Sequence, residues 1–474
     1  MIPLSQNGSG PLFRRVYASL REAILAGSYA PGERLPSTRE LAAELGISRT
    51  VALTAYELLL AEGFVTGRAG SGTYVSAELE RRGAQRPAPT TEIKLSRFGA
   101  AAAAIPSITP RHSTPSLRYD FSYGRSNLDL FPFETWRRIL LRQARQASVR
   151  KFGYGPATGS IALKEAICAH VRRSRAVVCD PSDIIVVNGS QQALDLVARV
   201  LVERGDPVVL EEPHYDAVRE VMRAAGAALL PAATDCDGLD PAALPDRAAL
   251  AVVTPSHQFP TGTILPLPRR LALLDWARRA NAVIVEDDYD GEFHYDGRPL
   301  ESLQGLDGDG RVIYVGTFSR TVFPALRIGY LILPKPLVPA FAAAKWLNDT
   351  HSATLEQETL AEFIAEGFYE RHLRRVRDWN AARRDRLLRA IRDHLGDRVT
   401  VTGDAAGAHI VLWPKAAFTE EQLIAASAAR GVGLYGISHC YLGEPARTGA
   451  ILGFGNLSED EIEAGIRSLS EILP

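Results

Sequence analysis

The chain has 474 residues, enough for roughly two to four domains, and is 46% hydrophobic and 23% charged, a balance too apolar for a disordered protein. The net charge of -1 at pH 7 excludes recognition of nucleic acid by bulk charge, and no apolar run approaches the roughly 18 residues of a membrane span. The polar, uncharged start Met1–Gly10 has no signal-peptide pattern, and Cys168, Cys179, Cys236 and Cys440 form neither a CxxC pair nor a metal-ligand spacing, so a cytoplasmic protein without a disulfide framework, a zinc site or a membrane partner is expected.

Residues 11–76 read as three helices and a hairpin. Leu12, Val16, Leu20 and Ile24 recur every four residues on one helical face, and Gly27 with Pro31-Gly32 ends that element. Ser37-Thr38-Arg39-Glu40 has the capping-box pattern, a hydroxyl followed three residues on by a carboxylate. Leu41 and Leu45 continue that helix and Gly46 stops it. Ser48 caps a third helix with Val51, Ala55, Leu58 and Leu59 as its apolar positions. Phe64-Val65-Thr66 and Thr73-Tyr74-Val75 flank the turn Gly70-Ser71-Gly72, as in a hairpin. Seven Arg face six Glu in this region.

Residues 77–118 have no sustained periodicity, are rich in Pro, Arg, Ala, Ser and Thr, and carry seven basic against three acidic groups; they read as a partly extended linker. Residues 119–474 alternate short apolar runs with helical patterns. The runs are Ile184–Val187, Val208–Leu210, Leu250–Val253, Val283–Val285 and Val312–Val315. This predicts an α/β fold of βαβ units with a mostly parallel sheet. From about Leu331 a long helical stretch precedes a smaller α+β segment.

In an open parallel sheet, ligands bind beyond the carboxyl ends of the strands. Ile184–Val187 leads into Asn188-Gly189-Ser190-Gln191-Gln192 and a helix whose free N–H groups suit an anion, although a plain strand-to-helix turn fits the same residues. Val283–Val285 leads into Glu286-Asp287-Asp288-Tyr289-Asp290, which reads as a solvated acidic loop or as a metal site lacking a His pair. Val312–Val315 leads into Gly316-Thr317-Phe318-Ser319-Arg320, with Arg327 further on. Hydroxyls, small backbone and guanidinium can grip a phosphate, or both arginines can pair with carboxylates.

Together, Tyr154-Gly155 with Gly159, Asn188-Gly189-Ser190-Gln191-Gln192-Ala193-Leu194, Glu211-Glu212-Pro213-His214-Tyr215, Thr254-Pro255-Ser256-His257-Gln258-Phe259-Pro260-Thr261-Gly262, the acidic block 286–290 and Gly316-Thr317-Phe318-Ser319 resemble the aminotransferase-like domain of fold-type I pyridoxal-phosphate enzymes. The HQFPTG and EDDYD blocks look like those of the MocR subgroup of GntR-family transcription regulators. Gly32-Glu33-Arg34-Leu35-Pro36-Ser37-Thr38-Arg39-Glu40-Leu41 independently resembles a GntR winged helix. The implied organisation is a DNA-binding domain at 11–76, a linker at 77–118 and an aminotransferase class I/II-like effector and dimerisation domain at 119–474.

The resemblance also implies roles. Gly189, Ser190, Gln191, Ser319 and Arg327 would hold the phosphate of pyridoxal 5'-phosphate. Asp287 would face the pyridine nitrogen, where a carboxylate stabilises the protonated ring. Tyr289 would reach the phenolic oxygen, and His257 or Gln258 would add a second contact there. Tyr215 would stack on or edge the ring, unless it is a packed core tyrosine. Arg447, ahead of the strand-like run 448–454, would take an effector carboxylate in its planar fork, or sit as a surface residue in a loop. Ser48, Arg49 and Thr50 would open a recognition helix in the major groove. Arg34, Ser37 and Arg39 would flank the preceding helix start, and Arg68 and Gly72 the wing. The alternative for this region is a three-helix interaction module with solvated arginines.

One position departs from the family pattern. The lysine that forms the Schiff base should follow GTFS, and here that residue is Arg320. A guanidinium stays protonated and cannot form the imine. The chain has six lysines, and the next two are Lys335, too far along for a register slip, and Lys345, on a helical stretch as a surface or dimer-contact residue. The cofactor is therefore expected to bind non-covalently if at all, with Arg320 adding a phosphate contact or filling the pocket. The resulting expectation is a transcription regulator and not an enzyme, binding a double-stranded DNA operator as a homodimer and sensing a small amine or amino acid. An aminotransferase with an accessory DNA-binding domain, and a regulator whose effector domain is only a dimerisation scaffold, are the alternatives.

Overall fold

A computed structural model describes residues 10–68, 70–79, 93–105, 117–125, 127–146, 153–295, 301–445 and 447–473. The start of the chain and the linker stretches 80–92 and 106–116 lie outside them. The chain divides into two compact units between Lys94 and Leu95.

In the first unit, Val16, Leu20 and Ile24 of the helix Leu12–Leu25 are buried, whereas Leu12 stands at its exposed start. Ser37 caps the helix Thr38–Leu45: its Oγ accepts from the Glu40 N–H at 3.2 Å and its own N–H donates to the Glu40 carboxylate at 2.7 Å. Gly46, at φ +63, ends the helix in the left-handed region. Ser48 caps the helix Arg49–Ala61, which buries Ala52, Ala55, Tyr56 and Leu59. Val51 and Leu58 are only partly buried, contrary to expectation. The inward face is rotated toward Tyr56, whose hydroxyl donates to the Pro36 carbonyl at 2.6 Å and ties this helix to the start of the one before it. Strands β1 (Val65–Arg68) and β2 (Gly72–Val75) form the expected antiparallel hairpin, from Val65↔Val75 to Arg68↔Gly72.

In the second unit the strands are β3 (Tyr119–Asp120), β4 (Ile184–Val187), β5 (Pro207–Glu212), β6 (Ala228–Asp235), β7 (Gly238–Leu239), β8 (Leu250–Val253), β9 (Val283–Asp288), β10 (Val312–Thr317), β11 (Gly329–Ile332), β12 (Val399–Thr402), β13 (His409–Pro414), β14 (Val432–Gly433), β15 (Tyr435–Gly436) and β16 (Ala450–Gly453). Eight form one sheet in the order β4-β11-β10-β9-β8-β5-β6-β7. The pairs from β10 through β9, β8 and β5 to β6 are parallel. β11 runs against both β10 and β4, so β4 points the same way as β10. The five expected apolar runs fall on β4, β5, β8, β9 and β10. β6 carries Pro231, three alanines and alternating burial, and β11 is four residues long, so neither shows a β-branched run in the sequence.

Alternation along β4 shows how the sheet is covered. Ile184 and Val186 join a core with Trp136, Leu163 and Phe363 from the helices Phe133–Arg145, Ile161–Arg175 and Thr354–Ala365. Ile185 and Val187 face the opposite core, with Leu194 and Val197 from the helix Ser190–Leu201. The long helix Phe368–His394 leads to a four-stranded sheet, β12-β13-β16-β15, packed with the helix Glu459–Ser470 around Ile410, Leu452 and Ile466.

The expected linker contains an element of the second unit. Ser96 caps a helix at Arg97–Ala103, accepting from the Gly99 N–H at 3.0 Å, and this helix packs on the helix Asp216–Ala225. A run of five alanines from Ala100, with the highest helix propensity, overrides the polar composition around it. Cys168 and Cys179, unremarkable in spacing, lie with their sulfurs 3.6 Å apart as free thiols. Among the described residues no helix is long and apolar enough to cross a membrane.

Candidate functional site

The carboxyl ends of β4, β5, β8, β9 and β10 open on one cavity of about 1010 Å³. At its β4 corner Gly189, at φ +79, turns the chain into the helix Ser190–Leu201, so that Ser190 and Gln191 line the cavity at a helix N-terminus. Arg327, on the loop after β10, donates from Nη2 to the Asn188 carbonyl at 2.9 Å. A Cβ on Gly189 would stand 2.7 Å from that nitrogen, so the close approach requires glycine. Thr317 and Ser319 line the same wall with hydroxyls 3.1 Å apart. Guanidinium, helix N-terminus and hydroxyls thus come together at one corner of the cavity, a donor set that suits an anion and is termed the cradle.

Behind the cradle lies Lys345, fully buried rather than on the surface as expected. Its ammonium donates to Asp349 at 2.5 Å and Ser352 at 3.1 Å, and burial pulls its pKa down. Asp349 also accepts from the side-chain amides of Asn188 at 2.6 Å and Gln192 at 2.8 Å, so the lysine braces the cradle through a carboxylate.

The acidic block at the end of β9 is buried, not solvated. Strand alternation sends Asp287 and Tyr289 into the cavity. Glu286 accepts from the backbone N–H groups of Leu303 at 2.9 Å and Gln304 at 2.8 Å. Asp288 is paired with the buried Arg175 at 2.7 Å and accepts from the Tyr314 hydroxyl at 2.6 Å. Burial first, then the charges of Asp288 and Asp290, push the Asp287 carboxyl up to about 7, against the opposing pull of Arg320. Its Oδ1 has no hydrogen-bond partner among the described residues. A buried, unanswered carboxylate oxygen is unfavourable by itself and is satisfied by a protonated ring nitrogen. With the anion cradle on the same cavity, the residues present fit pyridoxal phosphate.

Arg320 lines the cavity beside Tyr123, Gly124 and Tyr289. A Cβ on Gly124, at φ +83, would stand 2.5 Å from its Nη1, so the guanidinium lies directly on that backbone. Its charge is felt by Asp287, Tyr289 and Tyr215. Tyr215 is half-exposed on the cavity wall, its ring edge-on to Phe259 at 5.7 Å, which excludes a packed core tyrosine.

Three expected residues are not brought to the cavity lining. His257 turns inward: its Nδ1 lies 2.9 Å from the Tyr289 hydroxyl and 3.0 Å from Asp290, so it reaches the cavity only through Tyr289. Gln258 donates to the carbonyls of Pro213 at 2.6 Å and Phe259 at 2.7 Å and holds the turn together. Arg447 is exposed, with its guanidinium 3.9 Å from the ring centroid of Trp413, which offers a cation–π face away from the cavity lining.

Sequence reasoning missed Tyr123, Thr254 and Phe259 on the cavity wall. Thr254 donates from Oγ1 to the buried Glu211 at 2.7 Å and accepts from the Phe259 N–H at 2.9 Å. Its place directly after a buried strand was the available signal. Nothing in the sequence pointed to Phe98, Ala102 and Ile105, which also line the cavity.

In the first unit Arg39, Ser48, Arg49 and Thr50 are exposed, the last three at the N-terminus of the third helix. The Ser37 and Ser48 hydroxyls are engaged as caps. Arg34, Arg68 and Gly72 come together on the hairpin. Arg34 is bridged to Tyr74 and packs its Nε where a Cβ on Gly72 would be 2.9 Å away, while Arg68 lies over the Tyr74 ring at 4.6 Å.

A winged-helix unit joined to a fold-type I aminotransferase-like domain defines the class. Residues 12–75 match the family described as bacterial regulatory proteins, gntR family, and residues 121–448 match aminotransferase class I and II. The chain is 39% identical to the probable rhizopine catabolism regulatory protein MocR of Rhizobium meliloti, over 99% of this chain and 95% of that protein. It is 30% identical to the HTH-type pyridoxine biosynthesis transcriptional regulator PdxR of Corynebacterium glutamicum, over 99% and 98%. The second unit resembles the α-aminoadipate aminotransferase LysN of Thermus thermophilus, solved with N-(5'-phosphopyridoxyl)-L-leucine, with a TM-score of 0.73, 28% identity, and coverage of 80% of this chain and 98% of that one. The chain belongs to the MocR-type GntR-family transcription regulators, DNA-binding proteins with an aminotransferase-like domain.

Proposed function

We propose that the aminotransferase-like domain is a sensor: it binds a small amine or amino acid, holds pyridoxal phosphate without a covalent link, and has no transaminase activity. The observation that carries this is the combination in one cavity of residues that fit the cofactor, Asp287 and the Gly189–Arg327 cradle, with Arg320 directly after Gly316-Thr317-Phe318-Ser319, where the resemblance expects the linking lysine. When bound, the cofactor supplies an electron-withdrawing ring and an aldehyde. Arg327, Ser190 and Ser319 hold its phosphate, Asp287 keeps the ring nitrogen protonated and Tyr289 meets the phenolic oxygen. A guanidinium at position 320 anchors no imine and is a poor proton shuttle. In the first unit, Arg49 reads a base edge while Arg34, Arg39 and Arg68 meet the phosphate backbone or groove edges.

The chain acts as a homodimer in this reading. Trp346 and Leu347 are 59% and 77% exposed, beside Asn348 on the cavity rim, and suit a subunit contact. Sedimentation at micromolar concentration gives a dimer; a strict monomer overturns it.

The test of the sensor reading is a titration with pyridoxal phosphate followed by borohydride and dialysis. The wild type shows saturable absorbance that dialysis removes after reduction, while Arg320→Lys retains the label. Retention by the wild type, or its turnover of an amino donor with a keto acid, restores the aminotransferase reading. Failure of the wild type to bind any cofactor, with Arg320→Lys equally inert, leaves a dimerisation scaffold.

A further inference from the structure

The cavity is larger than a cofactor needs. Its volume of about 1010 Å³ reaches the top of the roughly 300–1,000 Å³ range of small-molecule sites. The surplus lies between two helices that both start at the cofactor site. Ser190–Leu201 begins at the anion cradle, and Asp216–Ala225 begins after Tyr215. Away from those starts the lining is mainly apolar: Val221 and Ala224 come from the second helix, and Phe98, Ala102 and Ile105 from the segment that packs on it. The carboxylates there are answered within the protein, Asp195 by Arg199 at 2.7 Å and Glu220 by Arg219 at 2.8 Å.

The segment that supplies Phe98, Ala102 and Ile105 is thinly held. The helix Arg97–Ala103 has no fully buried residue, and Phe98 remains 49% exposed, with the Arg199 guanidinium 5.6 Å from its ring centroid. Apolar surface left facing an open cavity is the condition under which an apolar ligand group gains most by entering.

We propose that Ser96–Ile105 is a wall of the effector site, and that the effector carries an apolar group which Phe98, Ala102 and Ile105 cover. This rests on the reading that the cavity binds an amine or amino acid beside the cofactor. It adds the class of side chain and the residues that select it.

Reduced conjugates of the cofactor with single amino acids separate the two readings, because they carry their own link and need no lysine. N-(5'-phosphopyridoxyl)-L-leucine and N-(5'-phosphopyridoxyl)-glycine differ only in the side chain. Calorimetry on the wild type gives a preference for the leucine conjugate of about tenfold or more, the value of a few methylenes in a hydrophobic pocket. Phe98→Ser and Ile105→Ser, both at incompletely buried positions, each reduce that preference and leave the glycine conjugate within about twofold. Equal binding of the two conjugates by the wild type, or a preference that both variants leave intact, overturns the proposal while the cofactor site stands. Failure of free cofactor and both conjugates to bind overturns the sensor reading and this inference with it.

Discussion

The two units surround the arginines of their candidate sites differently. In the winged helix, Arg39 and Arg49 stand in water on helix starts, and Arg34 and Arg68 lie on the hairpin against Gly72 and Tyr74. In the aminotransferase-like unit, Arg175 is buried on Asp288, while Arg320, partly buried, and Arg327, exposed, stand on the wall of a cavity built on buried carboxylates. Exposed arginines can meet a polyanion by displacing its counterions, with little demand on their surroundings. A buried one such as Arg175 acts at fixed geometry in a medium that strengthens every unanswered charge. The first arrangement can be altered one residue at a time; the second is cooperative, and each loss is felt by its neighbours.

The largest effect is expected where that contrast is sharpest. Arg175→Ala leaves Asp288 buried and unpaired and should destabilise the second unit by about 3–5 kcal/mol in urea unfolding, whereas Arg39→Ala should stay within about 0.5 kcal/mol. Equal effects would break the comparison. Asp287→Ala should raise the dissociation constant of pyridoxal phosphate by about 100-fold in an absorbance titration, since it removes one partner of a buried charge pair. Arg49→Ala should weaken specific operator binding by about 1–3 kcal/mol in anisotropy at fixed salt and leave cofactor affinity unchanged.

The smallest effect is a pH dependence. His170 is buried between Glu370, at 2.9 Å from Nδ1, and Glu292, at 3.9 Å from Nε2. Burial pulls its pKa down, but the two carboxylates outweigh it and raise it to about 8. A histidine with a raised folded-state pKa stabilises fully below its ordinary value near 6.5, and this is lost as pH rises through about 8. Stability of the second unit should therefore fall by on the order of 1–2 kcal/mol between about pH 6.5 and 9. A His170→Gln variant with the same pH slope would remove this pair from the account.

The winged helix was legible almost in full, because its determinants are local. Ser37 with Glu40, Gly46, Ser48 and the Gly70-Ser71-Gly72 turn act within four residues of themselves, and each stands where the sequence put it. The parallel strands were legible for a related reason: buried on both faces, they read as unbroken apolar runs. Asp287, Tyr289, Arg320 and Arg327 were singled out by the resemblance of their motifs to those of aminotransferases, and the structure brings all four to one cavity at the carboxyl edge of the sheet. Tertiary structure alone decided the rest. Lys345 is buried because Asp349 and Ser352 answer it. His257 serves Tyr289 and Asp290 instead of the cavity, Arg447 rests on Trp413, and a seven-residue helix from an apparent linker lines the cavity. In each case the deciding partner lies elsewhere on the chain, from four residues to more than a hundred away. Spacing and composition record what a residue can do, but the choice among buried partners is made by desolvation, which exists only once the chain has folded.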